Sequence, residues 1–251
     1  MIIWAGTSSK DVGMVIEHYP SVVVPEKNVD VLDVPGRNGS IIIPTGSFKN
    51  YTQTYQAFLD SKYLGGLEAA MPKVVDWLLG HDGYHKLEDS YFPDFYRMAY
   101  YTGGGEFVSF FNEYGRGTLT FNCAPEKYYK YGANPIDIPS TGKTIYNPTS
   151  FDAFPIIEVY MGVGSATGQI SVNARHVTVS NDPDVVIAPE ATDIPMILDV
   201  KNHQYYMQGL HHLYNAGVVG DYNNLKLTKA STITWSGNIH AVKVIPNWWT
   251  I

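Results

Sequence analysis

The chain has 251 residues, of which 45% are hydrophobic and only 16% charged, so it can bury a full core and broad disorder is excluded. Its formal net charge of −7 argues against tight binding of nucleic acid, which needs a cationic patch to meet phosphates. Its single cysteine, Cys123, leaves no intramolecular disulfide, no cysteine-based metal site and no sign of an oxidising compartment.

The length fits one large β domain or two of ordinary size. Aromatic residues reach 14%, with 19 tyrosines, which suits half-buried strands and contact surfaces. No apolar run is long enough to span a bilayer. The opening Met1-Ile2-Ile3-Trp4-Ala5-Gly6 lacks the basic start of a signal peptide, so synthesis in the cytoplasm is expected.

In chain order, β-branched and aromatic content bounded by turn residues predicts strands at Ser21–Val24, Val29–Val34, Ser40–Pro44 and Tyr51–Phe58. Between the second and third lies Val34-Pro35-Gly36-Arg37-Asn38-Gly39. Pro35 presets the φ of a turn's second position, and Gly36 can take φ > 0 at the third. Gly39 permits a second reversal, which leaves Arg37 and Asn38 outside. Tyr51-Thr52-Gln53-Thr54-Tyr55-Gln56 alternates as a half-exposed strand does.

One helix is predicted, over Pro72–Leu79. Pro72 suits the first helical position, Val74, Trp77 and Leu78 share a face at i, i+3 and i+4, and Gly80 is a natural stop. Leu67–Met71 could add a turn before it. So short a helix must dock that face on a sheet.

Further strands are expected at Tyr84–Leu87, Tyr96–Thr102, Phe107–Phe111 and Gly117–Ala124, with Gly103-Gly104-Gly105 as a hairpin tip. Cys123 reads as a small buried hydrophobe within the last of these. The Gly- and Pro-rich stretch Lys127–Thr144 has little periodicity and reads as a domain boundary, which gives domains 1–130 and 131–251. After it come Phe154–Met161, Gly168–Asn173, Val177–Val179, Met196–Val200, Leu225–Leu227, Ser231–Trp235 and Ile239–Ile245. Strands and turns at this spacing are the pattern of a β-sandwich.

No catalytic set stands out. His81 and His85 lie four apart, but Gly80 and Gly83 break any helix there, and the metalloprotease pattern fails. His211 and His212 are adjacent, so on a strand they face opposite ways. Gly142-Lys143-Thr144 lacks the earlier glycine of a phosphate loop. Gly162 to Gly168 is a glycine-rich hairpin rather than a dinucleotide turn. The chain reads as a non-enzyme without cofactor or metal.

In order and spacing, these pieces resemble the distal tail proteins of siphophages that infect Gram-positive bacteria. The resemblance rests on Met1-Ile2-Ile3-Trp4, Ser8-Ser9-Lys10-Asp11, Val34-Pro35-Gly36-Arg37-Asn38-Gly39, Val75-Asp76-Trp77-Leu78 and Thr120-Phe121-Asn122-Cys123-Ala124-Pro125. In the second half it rests on Phe154-Pro155-Ile156-Ile157-Glu158-Val159 and Val244-Ile245-Pro246-Asn247-Trp248-Trp249. It implies an all-β chain with one short helix. An N-terminal ring-forming β-sandwich would precede a C-terminal sandwich of galectin-like or carbohydrate-module shape.

The implied role is a structural hub at the virion tail tip, a cyclic hexamer around the DNA channel. Its implied partners are the major tail tube protein, the tail-associated tip protein and receptor-binding or baseplate proteins. Tight nucleic acid and membranes are not among them. Val34, Pro35, Gly36, Arg37, Asn38 and Gly39 are then candidates for the contact between ring subunits, and the segment around Gly103–Gly105 is another. A second reading is a glycan-binding module, with Trp235, Asn238 and His240 as candidate sugar contacts. Trp248 and Trp249 are also aromatic candidates, but one of these adjacent residues should face the core.

Overall fold

The computed structural model describes residues 1–110, 114–162, 166–181, 194–209 and 213–251. Cα packing divides the chain into two units, Met1–Lys127 with Ile251, and Tyr128–Thr250.

The first unit contains β1 (Ile2–Trp4), β2 (Thr7–Ser8), β3 (Met14–Ile16), β4 (Lys27–Leu32), β5 (Ile41–Phe48), β6 (Tyr51–Asp60), α1 (Leu67–Leu79), β7 (His85–Asp89), β8 (Phe95–Tyr101), β9 (Phe107–Phe110) and most of β10 (Tyr114–Tyr129). Its main sheet runs β2-β1-β7-β8-β10-β6-β3. Along β6, Tyr51, Gln53, Tyr55, Ala57 and Leu59 are buried and alternate with more exposed residues, as the sequence pattern requires. Trp4, Tyr55, Tyr101 and Phe121 gather in the core, with Trp4 and Phe121 centroids 5.0 Å apart. Helix α1 lays Leu67, Ala70, Val74, Trp77 and Leu78 into the same core, and the Trp77 indole N–H donates to the Thr7 carbonyl at 3.2 Å.

The helix face is as expected and the added turn over Leu67–Met71 is present, but the position of Pro72 differs. Pro72 lies inside α1 rather than at its first position. The carbonyl of Glu68 thereby loses its helical donor, and both Glu68 and Pro72 are exposed, so water can satisfy it. The segment around Gly103–Gly105 also differs. Strand β9 pairs with β10, not with β8, so these glycines form a connection rather than a hairpin tip. The length of β10 explains it. One edge carries β6 along Tyr114–Cys123, and the other has room for β9 at Tyr114–Gly117 and β8 beyond. Phe111 lies outside the described residues. Ser21–Val24 forms no strand.

The second unit is a sandwich of two five-stranded sheets. One contains β11 (Ile136–Ile138), β13 (Ile156–Met161), β16 (Met196–Asp199), β17 (Gln204–Met207) and β20 (Ile239–Ile245), in the order β11-β20-β13-β16-β17. The other contains β12 (Lys143–Tyr146), β14 (Thr167–Val172), β15 (Arg175–Ser180), β18 (Val218–Val219) and β19 (Ala230–Gly237), in the order β12-β19-β14-β15-β18. Ile157, Val159, Leu198, Val242 and Val244 of the first sheet pack with Ile170, Val172, Val177, Val179 and Ile233 of the second. Strand β11 falls within the stretch read as a boundary, and β12 begins at its end. Around Leu225–Leu227 the chain makes a 3-10 turn and a single bridge, Ala153 to Leu227, instead of a strand. The closing β21 (Trp249–Thr250) follows Trp248, whose carbonyl accepts from the Tyr129 N–H at 2.9 Å.

Candidate functional site

The expected turn is present. The Arg37 N–H donates to the Val34 carbonyl at 3.1 Å, and Gly36 has φ +80°. That is the hydrogen bond of a Pro-Gly turn, with the positive φ at its third residue where glycine adopts it without a steric cost. The turn and Gly39 join β4 to β5, which form a separate two-stranded sheet.

The cross-strand register is Val29 with Pro44, Asp30 with Ile43, Val31 with Ile42, and Leu32 with Ile41. Directly opposed residues share a face, so Val29, Val31, Ile42 and Pro44 line one side and Asp30, Leu32, Ile41 and Ile43 the other. Val31 is 60% exposed, Leu32 52%, Ile42 65% and Ile43 48%. An isolated two-stranded ribbon is at best marginal in water, and this one has apolar side chains on both faces. Its base is tied by Glu26 and Lys49. The Lys49 N–H donates to the Glu26 carbonyl at 2.8 Å, and the side chains pair at 3.2 Å. Arg37 at the tip has no ion pair or side-chain hydrogen bond among the described residues.

The first unit also holds a polar centre that the sequence reading missed. Asp89 and Arg97 are buried, with Asp89 Oδ2 to Arg97 Nη1 at 2.8 Å. The Tyr55 hydroxyl donates to the same carboxylate oxygen at 3.0 Å. The backbone N–H groups of Tyr91 and Phe92 donate to the other oxygen at 3.0 and 2.8 Å. Arg97 Nε donates to the Tyr51 hydroxyl at 2.9 Å. Burial pushes the Tyr51 and Tyr55 hydroxyls well above the usual tyrosine value, and it pushes the Cys123 thiol up to about 12. Burial also acts to lower Arg97, but Tyr55, Tyr51 and Asp89 around it outweigh this and hold its guanidinium above the ordinary value. Parity was the available signal. Arg97 alternates in step with Ala99 and Tyr101, and Asp89 with Leu87, all buried.

In the second unit, Trp235 and His240 line one cleft of about 310 Å3 together with Asp137, Ser140 and Val242. Trp235 is half-buried, and its indole N–H donates to the Ile138 carbonyl at 2.9 Å. Asn238 lies at the β19–β20 turn, with its amide against Gly162 and its N–H donating to the Thr167 carbonyl at 2.9 Å. Trp248 is the core member of the tryptophan pair. Trp249 is half-buried, stacks on Phe151 with centroids 4.4 Å apart and donates to the Asp152 carbonyl at 2.9 Å.

His81 and His85 come together with ring centroids 5.1 Å apart, both edge-on to the buried Trp4. Among the described residues no group of three or more His, Cys, Asp or Glu side chains could hold a metal. His211, His212 and the centre of the Gly162–Gly168 segment lie outside the described residues.

The architecture of two β units and one helix is the fold of the siphophage distal tail proteins. The chain is similar to the SPP1 Dit protein, described as a paradigm of the hub adsorption apparatus in phages infecting Gram-positive bacteria. The TM-score is 0.69 and the identity 11%, over 97% of each chain. It is also similar to a chain of the phage p2 baseplate in its activated conformation with Sr. There the TM-score is 0.54 and the identity 11%, over 92% of this chain and 90% of the other. No protein-family model matches the chain, and no curated protein matches it.

Proposed function

We propose that this protein is a structural hub at the distal end of a phage tail. Six copies would form a ring around the DNA channel and join the tail tube protein to the tail-tip, baseplate and host-adsorption proteins. The observation that carries the reading is the β4–β5 ribbon, whose apolar side chains lie exposed on both faces in a chain with a Dit-like fold. The ribbon, with Val34 to Gly39 at its tip, docks on a neighbouring subunit. Each subunit's ribbon then covers a different surface on the next. Such a heterologous contact closes into a ring when its rotation permits.

Sedimentation of the full chain over a wide concentration range tests this. The ring predicts a discrete oligomer that Val31→Asp and Ile42→Asp convert to a folded monomer. A wild-type chain that stays monomeric at every concentration and within assembled tails would end the proposal.

A second reading takes the second unit as a galectin-like module that binds glycan. The cleft shared by Trp235, His240 and Asp137 favours it. Saccharide titration of the full chain, with Trp235→Phe and His240→Ala as controls, separates it from a purely structural role. No response to any saccharide would remove it.

A further inference from the structure

A different cleft of the second unit carries chemistry that the hub reading does not use. It measures about 350 Å3 and is lined by Val172, Asn173, Arg175, Asn224, Lys226 and Thr228. The hairpin between β14 and β15 forms one side. Val172 pairs with Arg175, so the turn is the two-residue Asn173-Ala174. Both turn residues are left-handed, with φ +50° and +66°. Asn tolerates this conformation, but Ala does so only under strain.

The turn is held in place by β19, the strand paired with β14. The Asn173 side-chain oxygen accepts from the Thr232 N–H at 2.8 Å, and its amide donates to the Ala230 carbonyl at 3.2 Å. The strained turn therefore fixes the point from which Arg175 projects.

The Arg175 side chain has no hydrogen bond or ion pair among the described residues. Two of the other three arginines contrast with it, whereas the Arg37 side chain likewise has no partner among the described residues. Arg97 is buried against Asp89, Arg116 pairs with Glu17 at 2.8 Å, and Arg37 stands at the ribbon tip. Lys226 is bound to Asp152 at 2.7 Å, so its charge is largely answered and Arg175 supplies the net positive charge of the cleft. Asn224 is half-buried, and its side chain makes no hydrogen bond among the described residues. The Thr228 hydroxyl donates to the Ala230 carbonyl at 3.3 Å and accepts from the Asn173 amide at 3.5 Å, which leaves one acceptor site on its oxygen.

We propose that this cleft binds the phosphate of a phosphorylated sugar or polyol. The Arg175 fork would take two phosphate oxygens, an arrangement that a guanidinium suits better than an ammonium. Asn224 and Thr228 would meet the hydroxyls of the organic part. Binding here is independent of ring assembly, so it stands or falls apart from the hub reading.

Calorimetric titration of the full chain with inorganic phosphate, glucose 1-phosphate and glucose tests it. Glucose 1-phosphate should bind most tightly, phosphate more weakly, and glucose without measurable heat. Arg175→Ala should weaken glucose 1-phosphate roughly tenfold or more, the size of a charge-assisted hydrogen bond, with Arg175→Lys in between. Melting temperatures should not change, because the exposed Arg175 side chain contributes no contact to the fold. Failure of every phosphate compound to bind at millimolar concentration would overturn the proposal. So would equal affinity for Arg175→Ala and wild type. Equal affinity for phosphate and glucose 1-phosphate would overturn the assignment of the organic part.

Discussion

The Asp89–Arg97 pair should behave as a single unit whose halves cannot be removed separately. Arg97→Met deletes the cation and leaves the Asp89 carboxylate in a site where its side chain is 0% exposed. The remaining donors, Tyr55 and two backbone N–H groups, bind the anion without neutralising it. Breaking a buried pair from one side costs about 3–5 kcal/mol, more than the ~1.5–3 kcal/mol of one charge-assisted hydrogen bond, because the lone charge stays desolvated. For a unit of this size about 3–5 °C is lost per kcal/mol, so its melting temperature should fall by ~10–20 °C. Replacing both partners, as Asp89→Leu with Arg97→Met, should cost clearly less than the two single changes added together. Scanning calorimetry can follow this provided the two units melt as separate transitions. A loss under about 1 kcal/mol for Arg97→Met would refute the reasoning, as would simple additivity in the double variant.

Trp77→Ala on the core face of α1 should cost about 3–5 kcal/mol, with the melting temperature as readout. Cys123 is fully buried, and its thiol is raised to about 12, so few thiolates form near pH 8. It should resist alkylation in the native protein and react only as the first unit unfolds. Rapid labelling of the folded protein at pH 8 would contradict that placement. With a net charge of −7 per chain, the protein should show no affinity for duplex DNA at physiological salt. Micromolar binding in a fluorescence titration would count against a channel that lets DNA pass.

Much of the fold was legible because the residues concerned encode it locally. Val74, Trp77 and Leu78 fix the helix face, and Pro35-Gly36 fixes the turn. The alternation of Tyr51 to Gln56 fixes which side of β6 is inward. What was lost depended on partners distant in the chain. Ile136–Ile138 and Lys143–Tyr146 are edge strands of three and four residues, each with a single buried residue, Ile138 or Ile145, so periodicity had nothing to act on. Pro72 was misplaced because proline favours a helix start, whereas here the helix tolerates it on a solvent-facing side.

The β4–β5 ribbon shows the same limit in the candidate site. Its strands were readable, but apolar content reads as core, and only the three-dimensional arrangement leaves Val31, Leu32, Ile42 and Ile43 exposed. Trp235 and His240 share a cleft because β19 and β20 are consecutive strands. Nothing in the sequence indicated that the Trp235 N–H would be tied to the Ile138 carbonyl.

The most direct measurement of the hub reading is electron microscopy of particles formed by the full chain, or of tails that contain it. The account predicts class averages with six-fold symmetry and an open centre, in which each β4–β5 ribbon lies on the next subunit. Particles without cyclic symmetry, or a ring in which the apolar faces of Val31 and Ile42 touch only solvent, would contradict it.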